Sequence, residues 1–300
     1  MIKKDYPHQL FAKLRLQLPT LAKAEMKAAE YILEHRDKLY RLNLQELADN
    51  SGCSQAAIIR LCKVIGLDGF KQLKAELNRP GQEAGAELFP NSGGPLGGSG
   101  PGMAKVLKEV FSYNVRSLQD TFSLYTEEYD RALKAILTAN RLAFFSIGNA
   151  SMPCQYAYMM FRRMGYNCTA DIDPDIQMLD AANLGKGDVA IAVSHTGQTR
   201  HVVAAAELAH KNGATTICIT KNPKSPLIKA CDIHLFTATA DTSLNMELVA
   251  RRIAEYAIIE AFYHAVRESR PETERLVNEG SLAMRINKLP GFARMNGIDE

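Results

Sequence analysis

The sequence predicts an all-α head followed by a larger α/β body, in which helices cover a parallel sheet. A chain of 300 residues suits two domains better than one. Residues 80–102 are dense in glycine, proline and serine, which is typical of a flexible linker. Only helical periodicity precedes this segment, whereas short apolar runs alternate with helical stretches after it. We therefore expect a head at 1–79, a linker at 80–102, a body at 103–285 and a tail at 286–300.

The composition is that of an ordinary globular protein, with 46% hydrophobic and 23% charged residues. No apolar run approaches the roughly 20 residues that a membrane helix needs, and the N-terminus lacks the apolar core of a secretory signal. The six cysteines form no C-x-x-C pair, and no cysteine and histidine cluster has zinc-ligand spacing. These features predict a cytoplasmic protein without a metal site, a cofactor or a membrane partner.

The charge is concentrated in the head. Residues 1–80 contain 14 lysines and arginines against 9 acidic residues, whereas the rest of the chain contains 22 against 24. The head is therefore basic and the body slightly acidic. This asymmetry favours a polyanionic partner for the head.

The head contains a candidate helix-turn-helix over residues 44–63. Helices are predicted at 21–34, with Pro19 or Thr20 at the start, at 44–50, at 55–65 and from residue 69 onward. Gly52 supplies the positive φ of the turn, and Ser54 is a good N-cap for the second helix of the motif. Small and apolar residues occupy the positions where the two helices pack, namely Leu47, Ala48, Ile58 and Leu61.

The outward face of this second helix has the residue types that read DNA. Gln55 suits adenine, Arg60 suits guanine or a phosphate, and Ala56 or Ile59 suits a thymine methyl group. Lys63 and Lys71 would lie near backbone phosphates. The predicted DNA-binding set is Ser54, Gln55, Ala56, Ile59, Arg60, Lys63 and Lys71. The alternative is an ordinary helical hairpin with a polar face.

The body alternates strands with helices. Strands are predicted at 142–147, 167–170, 189–193, 215–219 and 233–236, and helices at 104–124, 129–138, 153–164, 200–212 and 246–267. This alternation predicts a parallel sheet with helices on both faces. Right-handed crossovers then bring the carboxyl ends of the strands to one edge, which is where ligands bind in such sheets.

Two predicted strands are followed by loops suited to an anion. The loop 194–199 reads Ser-His-Thr-Gly-Gln-Thr, and the loop 148–151 reads Gly-Asn-Ala-Ser. Each joins a buried strand to the start of a helix, where unpaired N–H groups and the positive end of the helix dipole attract negative charge. Hydroxyls in both loops add further donors. The sequence thus predicts a site for a phosphorylated ligand.

These motifs resemble those of a known family. The two loops resemble the phosphosugar loops of a sugar isomerase (SIS) domain, and residues 9–79 resemble the helix-turn-helix domain of the RpiR family of transcription regulators. The resemblance implies a flavodoxin-like SIS body, a dimer or tetramer, a double-stranded DNA operator as partner, and a sugar phosphate effector that changes DNA affinity. It also implies a phosphosugar-binding set of Gly148, Asn149, Ser151, Ser194, His195, Thr196, Gly197, Gln198, Thr199 and Glu247.

Catalysis is the main alternative to sensing. Isomerisation of an aldose to a ketose needs a carboxylate base and often a histidine, for which Glu247, His195 and His201 are the candidates. A DNA-binding head on the same chain favours a sensor, so we expect no enzymatic activity. A third hypothesis is a binding module that controls another protein. Arg251 and Arg252 are expected on a solvated face, with contact to a phosphate or a sugar carboxylate as the alternative.

Overall fold

The computed structural model describes residues 9–35, 39, 42–77, 102–238 and 249–284. The predicted tail, the predicted linker apart from Gly102, and Glu247 lie outside these residues. Among the described helices, none is long and apolar enough to cross a membrane.

The described part of the head consists of helices. They are α1 (Gln9–Gln17), α2 (Lys23–Glu34), α3 (Leu44–Ser51), α4 (Gln55–Val64) and α5 (Phe70–Leu77), with a 3-10 turn at Leu18–Thr20. The predicted start of α2 at Pro19 or Thr20 is wrong. Pro19 belongs to the 3-10 turn, and the N-cap of α2 is Ala22, whose N–H donates to Glu25 Oε2 at 3.3 Å.

The helix-turn-helix of α3 and α4 forms as predicted. Leu47, Ile58 and Leu61 are buried in the head core, where α3 and α4 pack together. Gly52 ends α3 with φ at +62°, a conformation that costs other residues energy. The Oγ of Ser54 accepts a hydrogen bond from the N–H of Ala57 at 3.2 Å and so caps α4.

The described part of the body contains five strands and the helices that cover them. The strands are β1 (Leu142–Phe145), β2 (Cys168–Thr169), β3 (Val189–Val193), β4 (Thr215–Thr220) and β5 (Ile233–Phe236). The helices are α6 (Met103–Phe122), α7 (Glu128–Leu137), α8 (Ser151–Arg163), α9 (Pro174–Asn183), α10 (Arg200–Lys211), α11 (Pro226–Lys229), α12 (Val249–Ser269) and α13 (Glu272–Met284).

All strand pairs are parallel, in the order β2-β1-β3-β4-β5. This is the flavodoxin-like order, so the predicted fold class is confirmed. The chain leaves β1 toward one side of the sheet and leaves β3 toward the other. The switch point therefore lies between the carboxyl ends of β1 and β3, which pair directly from Leu142↔Val189 to Phe145↔Ala192.

The two faces of the sheet differ in the size of their side chains. Along β3, Val189, Ile191 and Val193 face a core shared with α7, α8 and α12. Ala190 and Ala192 face the opposite core, where α10 packs its own alanines against the sheet. This alternation of large and small residues lets α10 approach closely and fixes its N-terminus at the end of β3.

Four helices outside the predicted set complete the fold: α1, α9, α11 and α13. Asp173 caps α9, because its Oδ1 accepts from the N–H groups of Asp175 and Ile176 at 2.8 and 3.3 Å. The expectation for Arg252 is also wrong. Its side chain is only 13% exposed and pairs with Glu255, because α12 packs against α6, α7 and α8 rather than presenting this side to solvent.

Candidate functional site

The two predicted anion loops lie side by side. The loop Gly148–Ser151 follows β1 and the loop Ser194–Thr199 follows β3, and these strands are neighbours. Both loops therefore flank the switch point at the carboxyl edge of the sheet. In open α/β sheets this is the usual place for a ligand. Of the predicted phosphosugar residues, the structure brings together all except Glu247, which it does not describe.

The Ser194–Thr199 loop is folded tightly around the hydroxyl of Ser194. Gly197 donates its N–H to the carbonyl oxygen of Ser194 at 3.1 Å and to its Oγ at 3.2 Å. The Oγ of Ser194 also lies 3.0 Å from Oγ1 of Thr199. Ser194 and Gly197 are buried, whereas Thr196 and Gln198 are exposed at the rim. The buried serine organises the loop, and the exposed residues are accessible to a ligand.

The helix that follows this loop has no capping side chain at its N-terminus. Thr199 is the N-cap of α10, yet its side chain makes no capping hydrogen bond to the helix. The first N–H groups of α10 are therefore not capped by the side chain that most often satisfies them. Together with the helix dipole, they favour an anion such as a phosphate.

A third loop, residues 221–225, follows β4 and lies against the Ser194–Thr199 loop. The carbonyl oxygen of His195 accepts from the N–H of Lys221 at 3.0 Å and from Oγ1 of Thr220 at 3.2 Å. The carbonyl of Gly197 accepts from the N–H of Leu227 at 3.1 Å. The Oγ of Ser225 is buried without a hydrogen-bond partner among the described residues. Sequence reasoning missed these supports because they belong to a neighbouring strand.

The Gly148–Ser151 loop is held from a helix on the opposite side of the sheet. Gln177 on α9 is 2% exposed; its Oε1 accepts from the N–H of Ser146 at 3.0 Å, and its Nε2 donates to the Ser146 carbonyl at 2.8 Å. Gly148 has φ at +65° and starts the 3-10 turn that leads into α8. The N-cap of α8 is Ala150, which has no capping side chain. The N-termini of α8 and α10, both at the switch point, thus lack a capping side chain.

A buried carboxylate lies on α12. Glu255 is fully buried, and its Oε2 is 2.7 Å from Nη1 of Arg252. Burial raises the pKa of Glu255 to about 8, although the positive charge of Arg252 opposes this. Burial likewise raises the pKa of Cys154 on α8 to about 12, with the charge of Glu255 contributing in the same direction. Within the described ranges, no group of histidine, cysteine, aspartate and glutamate side chains could hold a metal ion.

Most of the predicted DNA-binding residues are exposed on the surface of the head. Gln55, Ala56 and Lys63 on α4 and Lys71 on α5 are exposed, as is Ser54 at the N-cap, and Ile59 is half-buried. Nε of Arg60 donates to Oε1 of Glu25 on α2 at 3.0 Å, while the Arg60 side chain stays 57% exposed. Nε2 of Gln55 donates to Oε1 of Gln45. Sequence reasoning missed Glu25 and Gln45, which orient the two side chains expected to read bases.

Family models match most of the chain. The model described as the helix-turn-helix domain of the rpiR family matches residues 8–83, and the model of the SIS domain matches residues 135–265. The second match covers both loops and all five strands, and the first covers the whole described head.

Known regulators and a solved structure are similar over most of the chain. A helix-turn-helix transcriptional regulator of Caldanaerobacter subterraneus is 32% identical over 87% of this chain and 91% of its own length. The regulator RpiR of Escherichia coli is 27% identical over 85% of both chains. The solved structure of Vibrio vulnificus NanR complexed with ManNAc-6P is 23% identical, covers 94% of this chain and 100% of that one, and has a TM-score of 0.58. The chain therefore belongs to the RpiR family of helix-turn-helix transcriptional regulators with a SIS domain.

Proposed function

We propose that this regulator binds a sugar phosphate at the Gly148–Ser151 and Ser194–Thr199 loops and that the bound effector changes its affinity for an operator. One observation carries the proposal: two helix N-termini without capping side chains begin at adjacent strand ends, at the switch point of the sheet. Such an arrangement is suited to a dianionic phosphate. The exposed hydroxyl of Thr196 and the amide of Gln198 add polar groups at the rim.

The relatives favour a sensor over an enzyme. RpiR of E. coli and HexR of Pseudomonas aeruginosa are named as transcriptional regulators, and the similar NanR structure contains ManNAc-6P. A phosphorylated amino sugar is accordingly a suitable first ligand for this chain. We propose that the site binds its ligand without turning it over, that the protein works in the cytoplasm, and that the effector is a sugar phosphate of this broad class.

Self-association completes the proposal. Helix-turn-helix proteins commonly bind twofold sites as dimers. The first half of α6 exposes five large apolar side chains at helical spacing, and such a stripe is typical of a subunit contact. They are Met103, Val106, Leu107, Val110 and Phe111. We propose that a second copy of the chain covers this stripe.

The ligand proposal is tested by thermal unfolding with a panel of hexose, pentose and amino-sugar phosphates. A ligand at 100 times its Kd stabilises the folded state by about 2.7 kcal/mol, which gives a measurable rise in Tm. Ser194→Ala removes the hydroxyl that organises the second loop and should abolish the rise. Ser269→Ala is the matched control, because among the described residues its Oγ bonds only to the carbonyl of Ala265 within α12. An unchanged rise in Ser194→Ala would place the ligand elsewhere.

The DNA proposal is tested by fluorescence anisotropy with a twofold operator selected from random duplexes. Arg60→Ala should weaken binding by about 1–3 kcal/mol and relax the preference at one base pair. Arg275→Ala on α13 is the control, since in the part of the chain that the structure describes this exposed arginine pairs only with Glu279 on its own helix. Turnover of any panel sugar phosphate by the purified protein would instead support the isomerase alternative.

A further inference from the structure

Helix α1 contacts both the core of the head and helix α6 of the body. Its residues Leu10, Phe11 and Leu14 are buried in the head core. The next residue, Arg15, forms an ion pair with Asp120 on α6 of the body. Arg15 is 4% exposed and Asp120 is 2% exposed, so this pair is buried on both sides. The head is therefore docked on the body through a charged contact from which water is excluded.

This contact lies at the carboxyl edge of the sheet. Leu16 of α1 packs with Leu124 and Ala238, and Ala238 directly continues the end of β5. The N–H of Ala238 donates to Oγ1 of Thr121 at 3.0 Å, which ties this strand end to α6 beside Asp120. The head thus meets the body at the same edge of the sheet as the Gly148–Ser151 and Ser194–Thr199 loops.

A second contact joins the head to the 221–225 loop, which lies against the Ser194–Thr199 loop. Nζ of Lys224 donates to the carbonyl oxygen of Thr20 at 3.3 Å, just before α2. Lys224 lies in the 221–225 loop, whose Lys221 N–H donates to the carbonyl of His195, and α11, which follows this loop directly, donates the N–H of Leu227 to the carbonyl of Gly197. Gly197 is also packed so closely on Ser225 that a Cβ at position 197 would overlap it. A displacement of the Ser194–Thr199 loop therefore moves the loop that carries Lys224.

From Thr20 the contacts continue to α4, the second helix of the helix-turn-helix. Glu25, in the first turn of α2, accepts from the N–H of Ala22 through Oε2 and from Nε of Arg60 through Oε1, at 3.3 and 3.0 Å. The same carboxylate thus fixes the start of α2 and the arginine expected to contact DNA. A shift at Thr20 reaches Arg60 through one short helical turn.

We propose that the Arg15–Asp120 pair and the Lys224–Thr20 bond form a joint through which the effector acts on the DNA-binding head; this rests on the proposed function. The buried pair is the fixed point, because separating buried charges is strongly unfavourable. The exposed Lys224 bond is the movable contact, because it contributes little to stability. A phosphate in the neighbouring loop attracts the Lys224 ammonium and competes with the Thr20 carbonyl. That difference in contacts is what a ligand needs to shift an equilibrium between two head positions.

The movable contact is tested on the full chain with Lys224→Ala, with Lys229→Ala on α11 as an exposed control. Without any ligand, hydrogen exchange should become faster at the amides of residues 18 and 20–22 in Lys224→Ala and stay at the wild-type rate in Lys229→Ala. Equal exchange in the two variants overturns the proposal. This measurement does not depend on the effector, so it remains decisive even where the proposed function fails.

The coupling is tested with inorganic phosphate as the probe, at constant ionic strength. We expect phosphate to change the operator Kd of the wild type by about fivefold or more, within the usual range of allosteric coupling. Lys224→Ala should still bind phosphate in a thermal shift assay, yet its operator Kd should no longer respond. A full response in Lys224→Ala overturns the joint, whereas absence of phosphate binding by the wild type counts against the proposed function instead.

The fixed point is tested with two variants. Asp120→Asn leaves the Arg15 charge buried without its counter-ion, so the amides of α1 should exchange at least tenfold faster. The double variant Arg15→Met with Asp120→Leu replaces the pair by apolar side chains, which buried sites often tolerate, and should restore protection. Unchanged protection of α1 in Asp120→Asn would show that this pair does not dock the head.

Discussion

Gly197→Ala is the substitution for which the structure gives the sharpest quantitative expectation. Gly197 has φ at +64°, a conformation that costs an alanine about 1–2 kcal/mol. A Cβ at this position would also lie less than 3.0 Å from Oγ and Cβ of Ser225 and 3.1 Å from Oγ1 of Thr220. Ser225 and Thr220 are buried, which leaves their side chains little room to give way, so we add about 1–3 kcal/mol for overpacking. The expected destabilisation is about 2–5 kcal/mol.

Gly148→Ala is a matched control. Gly148 has nearly the same φ, +65°, and begins the other loop of the site, but a Cβ there would meet no atom within 4 Å. Gly148→Ala should therefore lower the free energy of unfolding only by the cost of a positive φ for alanine, about 1–2 kcal/mol. The difference between the two variants isolates the contact of Gly197 with the 221–225 loop.

Urea unfolding followed by circular dichroism measures both variants, and thermal shift with phosphate measures whether the loop still binds. We expect a lower urea midpoint for Gly197→Ala than for Gly148→Ala, and loss of the phosphate shift in Gly197→Ala. Equal midpoints for the two variants would refute the reasoning, because they would show that Ser225 does not restrict the backbone at Gly197.

Three further substitutions test other parts of the body. Asp188→Asn should lower the free energy of unfolding by about 1.5–3 kcal/mol at pH 7. Burial opposes ionisation of Asp188, but hydrogen bonds from Arg141 lower its pKa, so the difference in stability from wild type should vanish as the pH falls below about 3.9. Glu255→Gln should gain stability relative to wild type as the pH rises from about 4.3 toward 8, because burial raises the pKa of Glu255 to about 8 and the unfolded wild type ionises at lower pH than the folded protein. Urea midpoints at pH 5, 7 and 9 measure this difference. Gln177→Ala should cost about 1–3 kcal/mol for each buried backbone group it leaves unpaired, and it should weaken the phosphate shift. A Gln177→Ala protein with wild-type stability would mean that the Gly148–Ser151 loop does not depend on this anchor.

Local signals account for what the sequence predicted well. The strands β3 and β5 were predicted with their observed bounds, because each is a short apolar run between polar residues. Gly52 and Ser54 were assigned correctly, since a positive φ and an N-cap depend on one residue and its immediate neighbours. The positions of the two loops are local in the same sense, since each directly follows a predicted strand; their anion-binding role stays a prediction.

Weak or competing local signals account for the missed helices. The helix α9 has an N-cap at Asp173 and a proline at its first position, but Gln177 and Ala181 are its only buried residues. Such a helix has almost no apolar periodicity, so its sequence does not distinguish it from a loop. The start of α2 was misplaced for the opposite reason. Pro19 is a genuine helix-start signal, but it serves the 3-10 turn instead.

The contacts that define the site most closely join residues far apart in the chain. Gln177 anchors Ser146 across 31 residues, and Glu25 holds Arg60 across 35. Periodicity and motif spacing describe only neighbours within one or two elements, so no such reading reveals these pairs. Arg252 illustrates the error that results, because its helix was expected to have a solvated side that other helices in fact cover.

The Glu25 contact changes what Arg60 can do at DNA. Its Nε is already donated to Glu25, so the two terminal amino groups remain for a base or a phosphate. A bidentate contact to guanine can use both of them, and the arginine then loses less conformational freedom on binding because Glu25 has already restricted its side chain. The pairing also makes Arg60 sensitive to the position of α2. A residue that sequence reasoning assigned only to reading the operator is thereby also the residue through which a movement of the head would alter that reading.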